Sequence, residues 1–236
     1  MTNKPDWSQF DFSRPTISNF KVETMLNCGL KYKLQCEDKL PTPPARALEL
    51  GRCFDSLCET GGHIPDDLKL LTEHDMTVIT ERFTEYQAIM PAGKKQVPFQ
   101  KSVDYKGWSI IGFIDLVPDE FPNAPIIEIK FNEEKWNSKK ASYKVMQAAT
   151  YAWALNHDWV QFHVMNFKEP GLQTFDMNIG EIETDRMLDD AVKAIQLIED
   201  GTRKPNENVL CGWCDFHDHC PLFNTDTNTN DSEVQE

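Results

Sequence analysis

The chain has 236 residues, 40% of them hydrophobic, and carries 24 basic against 38 acidic side chains for a formal net charge of −14. That length suits one well-packed domain with a helical lobe, and no apolar run approaches the length of a membrane span. So acidic a balance excludes a broadly basic nucleic-acid surface, because phosphate contacts dominate such affinity; any basic face must be local.

Residues 1–15 read as an irregular arm with Pro5 and Pro15, after which Thr16 or Ser18 caps a short helix toward Asn27. Pro41, Pro43 and Pro44 break the chain, and residues 46–60 read as a helix ended by Gly61 and Gly62. Residues 66–90 carry Leu68, Leu71, Val78, Ile79 and Phe83 near helical spacing, so 46–92 is expected to form a helical lobe. Residues 97–105 and 108–117 read as strands joined by a hairpin turn at Lys106-Gly107, and 126–131 as a further strand beyond a turn-rich link. A helix over 140–155, a strand pair at 159–167 and 172–179 around Pro170-Gly171, and an acidic helix over 181–199 ended by Gly201 complete the pattern. From 225 onward the chain is polar and acidic and is expected to be disordered. The polar first ten residues lack the apolar stretch of a signal peptide, and seven cysteines without an export signal predict a reducing, cytoplasmic setting. The fold class expected is α/β, a small mixed sheet flanked by helices in a single domain over 1–224.

Two strands carry the chemistry. Asp115 follows Ile110, Ile111, Phe113 and Ile114, and Glu128 lies among Ile126, Ile127 and Ile129. Buried charges are costly unless paired or metal-bound, so carboxylates in such surroundings point to a divalent cation. Asp115 and Glu128 are hard oxygen donors suited to Mg²⁺ or Mn²⁺. Glu128 and Lys130 share a strand face, where the ammonium can orient a water or offset charge on a phosphate. A salt-bridged surface hairpin is the competing reading, since E-x-K alone is common. Gln147 and Tyr151 are four apart on the predicted helix and share a face.

The second constellation is Cys211-x2-Cys214-x5-Cys220-Pro221. Three thiols in that spacing are metal ligands, and Cys28 is the best candidate for a fourth. Four thiolates hold an iron–sulfur cluster or a structural zinc; His217 or His219 in place of Cys28 would give a Cys3His zinc site. Cys36, Cys53 and Cys58 read as ordinary thiols, and His63, His74, His157 and His163 as structural. No P-loop and no G-x-S-x-G occurs, which argues against an ATP-driven motor and a serine hydrolase.

Together these motifs resemble the PD-(D/E)xK nuclease superfamily, in the branch of RecB-like exonucleases with an iron–sulfur cluster, such as the CRISPR-adaptation exonuclease and AddB-type nuclease domains. The resemblance covers about residues 16 to 223. It implies a restriction-endonuclease-like core with Asp115, Glu128 and Lys130 as catalytic residues and Gln147 and Tyr151 as the Q-x3-Y pair. It implies a [4Fe–4S] cluster on Cys28, Cys211, Cys214 and Cys220, clamping the two ends of the chain. The metal set would be Asp115, Glu128, the Ile129 carbonyl and a residue of the family's G-x3-H-x3-E helix. Here that helix has Gly51 and Glu59, but Asp55 stands where the family has histidine. Aspartate suits Mg²⁺ or Mn²⁺, while a solvated helix residue is the alternative.

The expected function is a metal-dependent DNA exonuclease acting at DNA ends in recombination, repair or CRISPR-type processing, or in a virus or mobile element. Lys130, Lys135, Lys139, Lys140 and Lys144 form the expected basic channel, with Arg14, Lys21, Lys31, Lys33, Arg46 and Arg52 a sparser second set. A helicase, recombination or CRISPR partner would supply the remaining affinity. The alternative is a weakly active or inactive DNA-end or protein adaptor that keeps the cluster.

Overall fold

Among the residues described, 6–223 of this computed structural model, the isoleucine-rich segments build a six-stranded mixed sheet. The expected acidic tail from 225 lies outside the described residues. At the centre, β3 (Ser109–Pro118) runs antiparallel to β2 (Gly93–Ser102) along its length and to β4 (Ile126–Asn132) at Leu116 and Ile127. β4 is parallel to β5 (Trp159–Asn166), which is antiparallel to β6 (Leu172–Asn178). A parallel pair needs a crossover, supplied by α5 (Ser138–Ser142) and α6 (Val145–Leu155). The β2–β3 turn has positive φ at Lys106 and Gly107, as a tight hairpin requires.

Side-chain alternation on β4 sets its two faces. Ile127, Ile129 and Phe131 join a buried cluster with Leu50, Phe54 and Leu57 of α3 (Arg46–Thr60) and Ile79, Phe83 and Tyr86 of α4 (Glu73–Gln87). Glu128 and Lys130 therefore occupy the other face, where α6 lies; the small, buried Ala148, Ala149 and Ala152 let that helix approach closely. Thus α3 and α4 form a layer directly on the sheet.

Several elements differ from the sequence expectation. Thr16–Ile17 form a short strand, β1, parallel to β3, and the first helix, α1 (Asn19–Asn27), begins after it; two residues are too few to show alternation. A short helix, α2 (Gly29–Tyr32), and a π-helical turn (Lys33–Glu37) follow. The helical reading of 66–90 shortens to α4, because Thr72 and Asp75 close a capping box there. The buried carboxylate of Glu49 takes the backbone N–H groups of Lys69 (3.0 Å) and Leu70 (2.7 Å), fixing the preceding loop. The helix read over 140–155 breaks at Tyr143-Lys144 into α5 and α6. β2 starts at Gly93, four residues before the expected Val97. The acidic helix, α7 (Glu181–Glu199), forms as expected.

The described chain forms two compact units, one of residues 6–19 with Pro44–Asp189 and one of Phe20–Pro43 with 190–223. The first holds the sheet with α3 to α6; the second brings the N- and C-terminal cysteine segments together.

Candidate active site

The carboxylates and amine read from the sequence converge. Glu128 is 2% exposed, and its Oε1 accepts hydrogen bonds from Lys130 Nζ and from Gln147 Nε2 at 2.6 Å. Gln147 Nε2 also donates to the Tyr151 hydroxyl at 2.9 Å, so the pair on one face of α6 grips the β4 carboxylate. Tyr151 is buried, edge-on to Phe99 at 6.1 Å, and so offers no ring face to a base. Phe99 lies across the ladder from Gly112, where any Cβ would come within 2.8 Å of its ring. Gly112 thereby makes room for the aromatic that seats Tyr151.

Asp115 Oδ2 accepts the Ile129 N–H at 2.9 Å and its Oδ1 accepts Gln96 Nε2 at 3.3 Å. Asp55, on α3, lines one cleft with Cys58, Glu59, Lys95, Gln96, Asp115 and Ile129. Lys95 is tied to the Cys58 carbonyl at 2.5 Å. The sequence reading missed Lys95 and Gln96, which precede the expected start of β2. Gln96 has φ +48 within a strand, a conformation that costs a non-glycine residue of order 1 kcal/mol or more. That backbone kink falls opposite Asp115 and is the signal that only coordinates reveal.

Electrostatics follow from this packing. Burial first, then the facing Glu128 and Asp55, push the Asp115 carboxyl well above its ordinary range, against the pull of Lys130 and the Ile129 N–H. Asp55 keeps solvent-exposed surface at the cleft, yet the protein mass around it pushes its carboxyl up to about 7, with Glu128 and Glu59 adding and Lys130 opposing. Burial works against the Lys130 charge, but Glu128, Asp115 and Asp55 more than reverse that, so the ammonium persists at neutral pH. Burial, then Asp55, raises the Cys58 thiol, which stays neutral and is a poor metal ligand.

Glu128 Oε2 is buried without a hydrogen-bond partner. A buried carboxylate oxygen left unpaired costs free energy unless something else meets it. With Asp55 and Asp115 nearby, the donors are oxygens, the chemistry of a hard cation. Among the described residues, no three His, Cys, Asp or Glu side chains are gathered as a ready-made metal cage.

The four candidate cluster cysteines, Cys28, Cys211, Cys214 and Cys220, belong to the second unit. Cys28 caps α2, its Sγ accepting the Lys31 N–H at 3.5 Å, and Cys211 Sγ accepts the Asn208 N–H at 3.4 Å. Asn206 and Asn208 side chains both donate to the Asn27 carbonyl, at 3.1 and 3.0 Å, tying the residue before Cys28 to the Cys211 segment. Leu30 N–H donates to the Lys204 carbonyl at 3.1 Å, and a Cβ on Gly29 would lie 3.1 Å from the Thr202 carbonyl oxygen, closer than an ordinary van der Waals contact. Cys214 is half-buried and Cys220 buried. His217 and His219 are exposed, and His217 stacks on Phe223 at 4.2 Å. Thiols with N–H donors aimed at sulfur are chemically suited to a thiolate-ligated metal centre.

Of the expected basic sets, several members are neutralised. Arg46 pairs with Asp75 and Glu133, Arg52 with Asp67, Lys33 with Asp38, Lys31 with Asp215 and Lys135 with Glu169.

The sequence profile of the PD-(D/E)XK nuclease superfamily matches residues 59–221, a span that holds Asp115, Glu128, Lys130, Gln147, Tyr151 and the three C-terminal cysteines. No curated protein sequence matches significantly. Among solved structures, a protein of Eubacterium rectale provisionally named an exonuclease superposes with a TM-score of 0.60 at 12% identity, covering 93% of this chain and 91% of that one. The structure of SSO0001 gives a TM-score of 0.53 at 16% identity, covering 91% and 89%. At such identities the likeness is one of fold.

Proposed function

The chain belongs to the PD-(D/E)XK nuclease superfamily, and on that footing we propose that it is a deoxyribonuclease hydrolysing phosphodiester bonds at DNA ends with Mg²⁺ or Mn²⁺. One observation carries the reading: Glu128, Lys130 and Asp115 converge where a buried carboxylate oxygen, Glu128 Oε2, has no hydrogen-bond partner among the described residues.

Asp55, Asp115, Glu128 and the Ile129 carbonyl are the oxygens that would hold the cation. When bound, it would supply an acidified water and offset charge on the phosphate. Lys130 keeps its proton because three carboxylates surround it, so it meets the incoming phosphodiester as a fixed positive charge. Gln147 fixes the Glu128 rotamer and so the aim of Oε2. Gln96 and the Ile129 N–H fix Asp115 in the same way. Tyr151, whose hydroxyl stays protonated because burial and then Glu128 and Asp115 oppose its ionisation, serves as a neutral partner behind them.

The four cysteines of the second unit, Cys28, Cys211, Cys214 and Cys220, are proposed to hold a [4Fe–4S] cluster of mainly structural role, with zinc the competing occupant. Protein prepared without oxygen should be brown and absorb near ~400 nm, whereas zinc is colourless. The duty that fits is processing of DNA ends in recombination, repair or CRISPR-type acquisition, alongside a helicase or recombination partner.

The test uses end-labelled single- and double-stranded DNA with Mn²⁺ and with Mg²⁺. Lys130→Ala and Asp115→Ala should each lower cleavage by roughly 10²–10³-fold while the circular dichroism spectrum persists. Equal cleavage by the variants would refute the site. Absence of cleavage by the native protein, with DNA-end binding retained, would instead establish the adaptor reading that the net charge and Asp55 favour.

A further inference from the structure

The break between α5 and α6 creates a surface that the hydrolytic site does not use. Ala141 is buried and pins α5, while Lys139 and Lys140 are exposed and Tyr143 is 68% exposed. Tyr143 is four residues from Lys139 and three from Lys140 and retains helical backbone angles, so the three share a face. Lys140 is steadied over the Trp136 ring at 5.6 Å. Lys144 stands at the N-terminus of α6, three residues before Gln147, and Gln147 holds Glu128. The row is therefore two pieces joined at the break: Lys139, Lys140 and Tyr143 on one face of α5, then Lys144 and Gln147 on the first turn of α6, ending at Glu128.

Two contrasts single out this row. The basic residues Arg46, Arg52, Lys31, Lys33, Lys135 and Lys168 each face a carboxylate, whereas Lys139, Lys140 and Lys144 have none among the described residues. And Tyr151, the aromatic of the Q-x3-Y pair, is buried, whereas Tyr143, at the end of α5, presents its ring to solvent.

We propose that the α5–α6 elbow is a track for one DNA strand, on which Tyr143 stacks a base and Lys139, Lys140 and Lys144 hold successive phosphates, leading the strand end to Glu128 and Lys130. This rests on the nuclease reading. An aromatic face interleaved with cations is the chemistry of single-strand recognition: every base has a ring to stack, and a duplex hides those rings. On a body of charge −14 the surrounding field repels DNA, so binding depends on local groups of cations without carboxylate partners, such as this row.

The experiment is fluorescence anisotropy of a labelled oligothymidylate of about 20 nucleotides, in EDTA so that no cleavage occurs, over a salt series. Tyr143→Ala should raise Kd about tenfold and Tyr143→Trp should restore it. Replacing Lys139, Lys140 and Lys144 together by alanine should flatten the slope of log K against log salt by about 2, as three single-strand phosphate contacts require. A blunt duplex of the same sequence should bind native protein more weakly and be insensitive to Tyr143→Ala. Unchanged Kd and slope in the variants, or equal loss with the duplex, would overturn the track. Native protein that never cleaves DNA but binds the single strand through Tyr143 would sink the hydrolytic reading and leave the track standing.

Discussion

His163 lies across the parallel ladder from Ile129, whose N–H holds Asp115, and so sits one strand from the reactive groups. It is 4% exposed. Gln161 gives its amide N–H to Asp176 at 2.9 Å, so its carbonyl faces His163 Nε2 at 2.7 Å and must accept a hydrogen from it. That leaves His163 Nδ1 as acceptor for the Tyr86 hydroxyl of α4 at 2.9 Å. The ring is thus a neutral latch between the helical layer and the sheet. Burial lowers its pKa from 6.5 to about 4, only partly offset by Asp176. A folded value below the unfolded one contributes stability that is complete above 6.5 and is lost as pH falls through about 4. The full gap is worth roughly 3 kcal/mol, of which about 2 kcal/mol disappears between pH 7 and pH 5. For a chain of this size that is a fall in Tm of about 4–8 °C. Asp55 and Asp115, held above their ordinary range, act in the opposite sense, contributing stability at low pH that is lost as pH rises, so the native protein shows only the sum. His163→Gln keeps a donor and an acceptor but cannot titrate, and the difference between variant and native isolates the ring. Urea unfolding at pH 7 and pH 5 should show the variant losing about 2 kcal/mol less than the native protein over that interval. The same loss in both proteins would mean that His163 is not held neutral by this latch.

Two further changes probe the site and the cysteine unit. Gln96→Asn keeps a residue that tolerates positive φ but cannot span to Asp115, so stability should stay within about 0.5 kcal/mol while DNA cleavage falls about tenfold; undiminished turnover would remove Gln96 from the positioning of Asp115. Gly29→Ala pushes a methyl against the Thr202 and Lys204 carbonyl oxygens, at 3.1 and 3.2 Å, and should cost about 1–3 kcal/mol and lower the bound iron per chain, read by metal analysis and thermal unfolding; full loading at native Tm would show that the two cysteine segments do not depend on this contact.

The sequence by itself determined what local patterning can determine. Isoleucine-rich runs identified β3 and β4, and α3 was readable from the Gly61-Gly62 pair that ends it, because such a stop signal is local. The motif residues Asp115, Glu128, Lys130, Gln147 and Tyr151 were legible by type and order, and the cysteines by spacing. Tertiary structure decided the rest. The strand β1 exists only through its pairing with β3, and the loop before α4 only through Glu49, because both depend on partners distant in sequence. Gln96 gains meaning from a left-handed kink that composition does not encode, and His163 from a neighbour 77 residues away. Which lysines are free and which are neutralised, and which tyrosine is buried, follow from burial and charge pairing, and these are properties of the packed molecule, where non-local contacts outweigh local propensity.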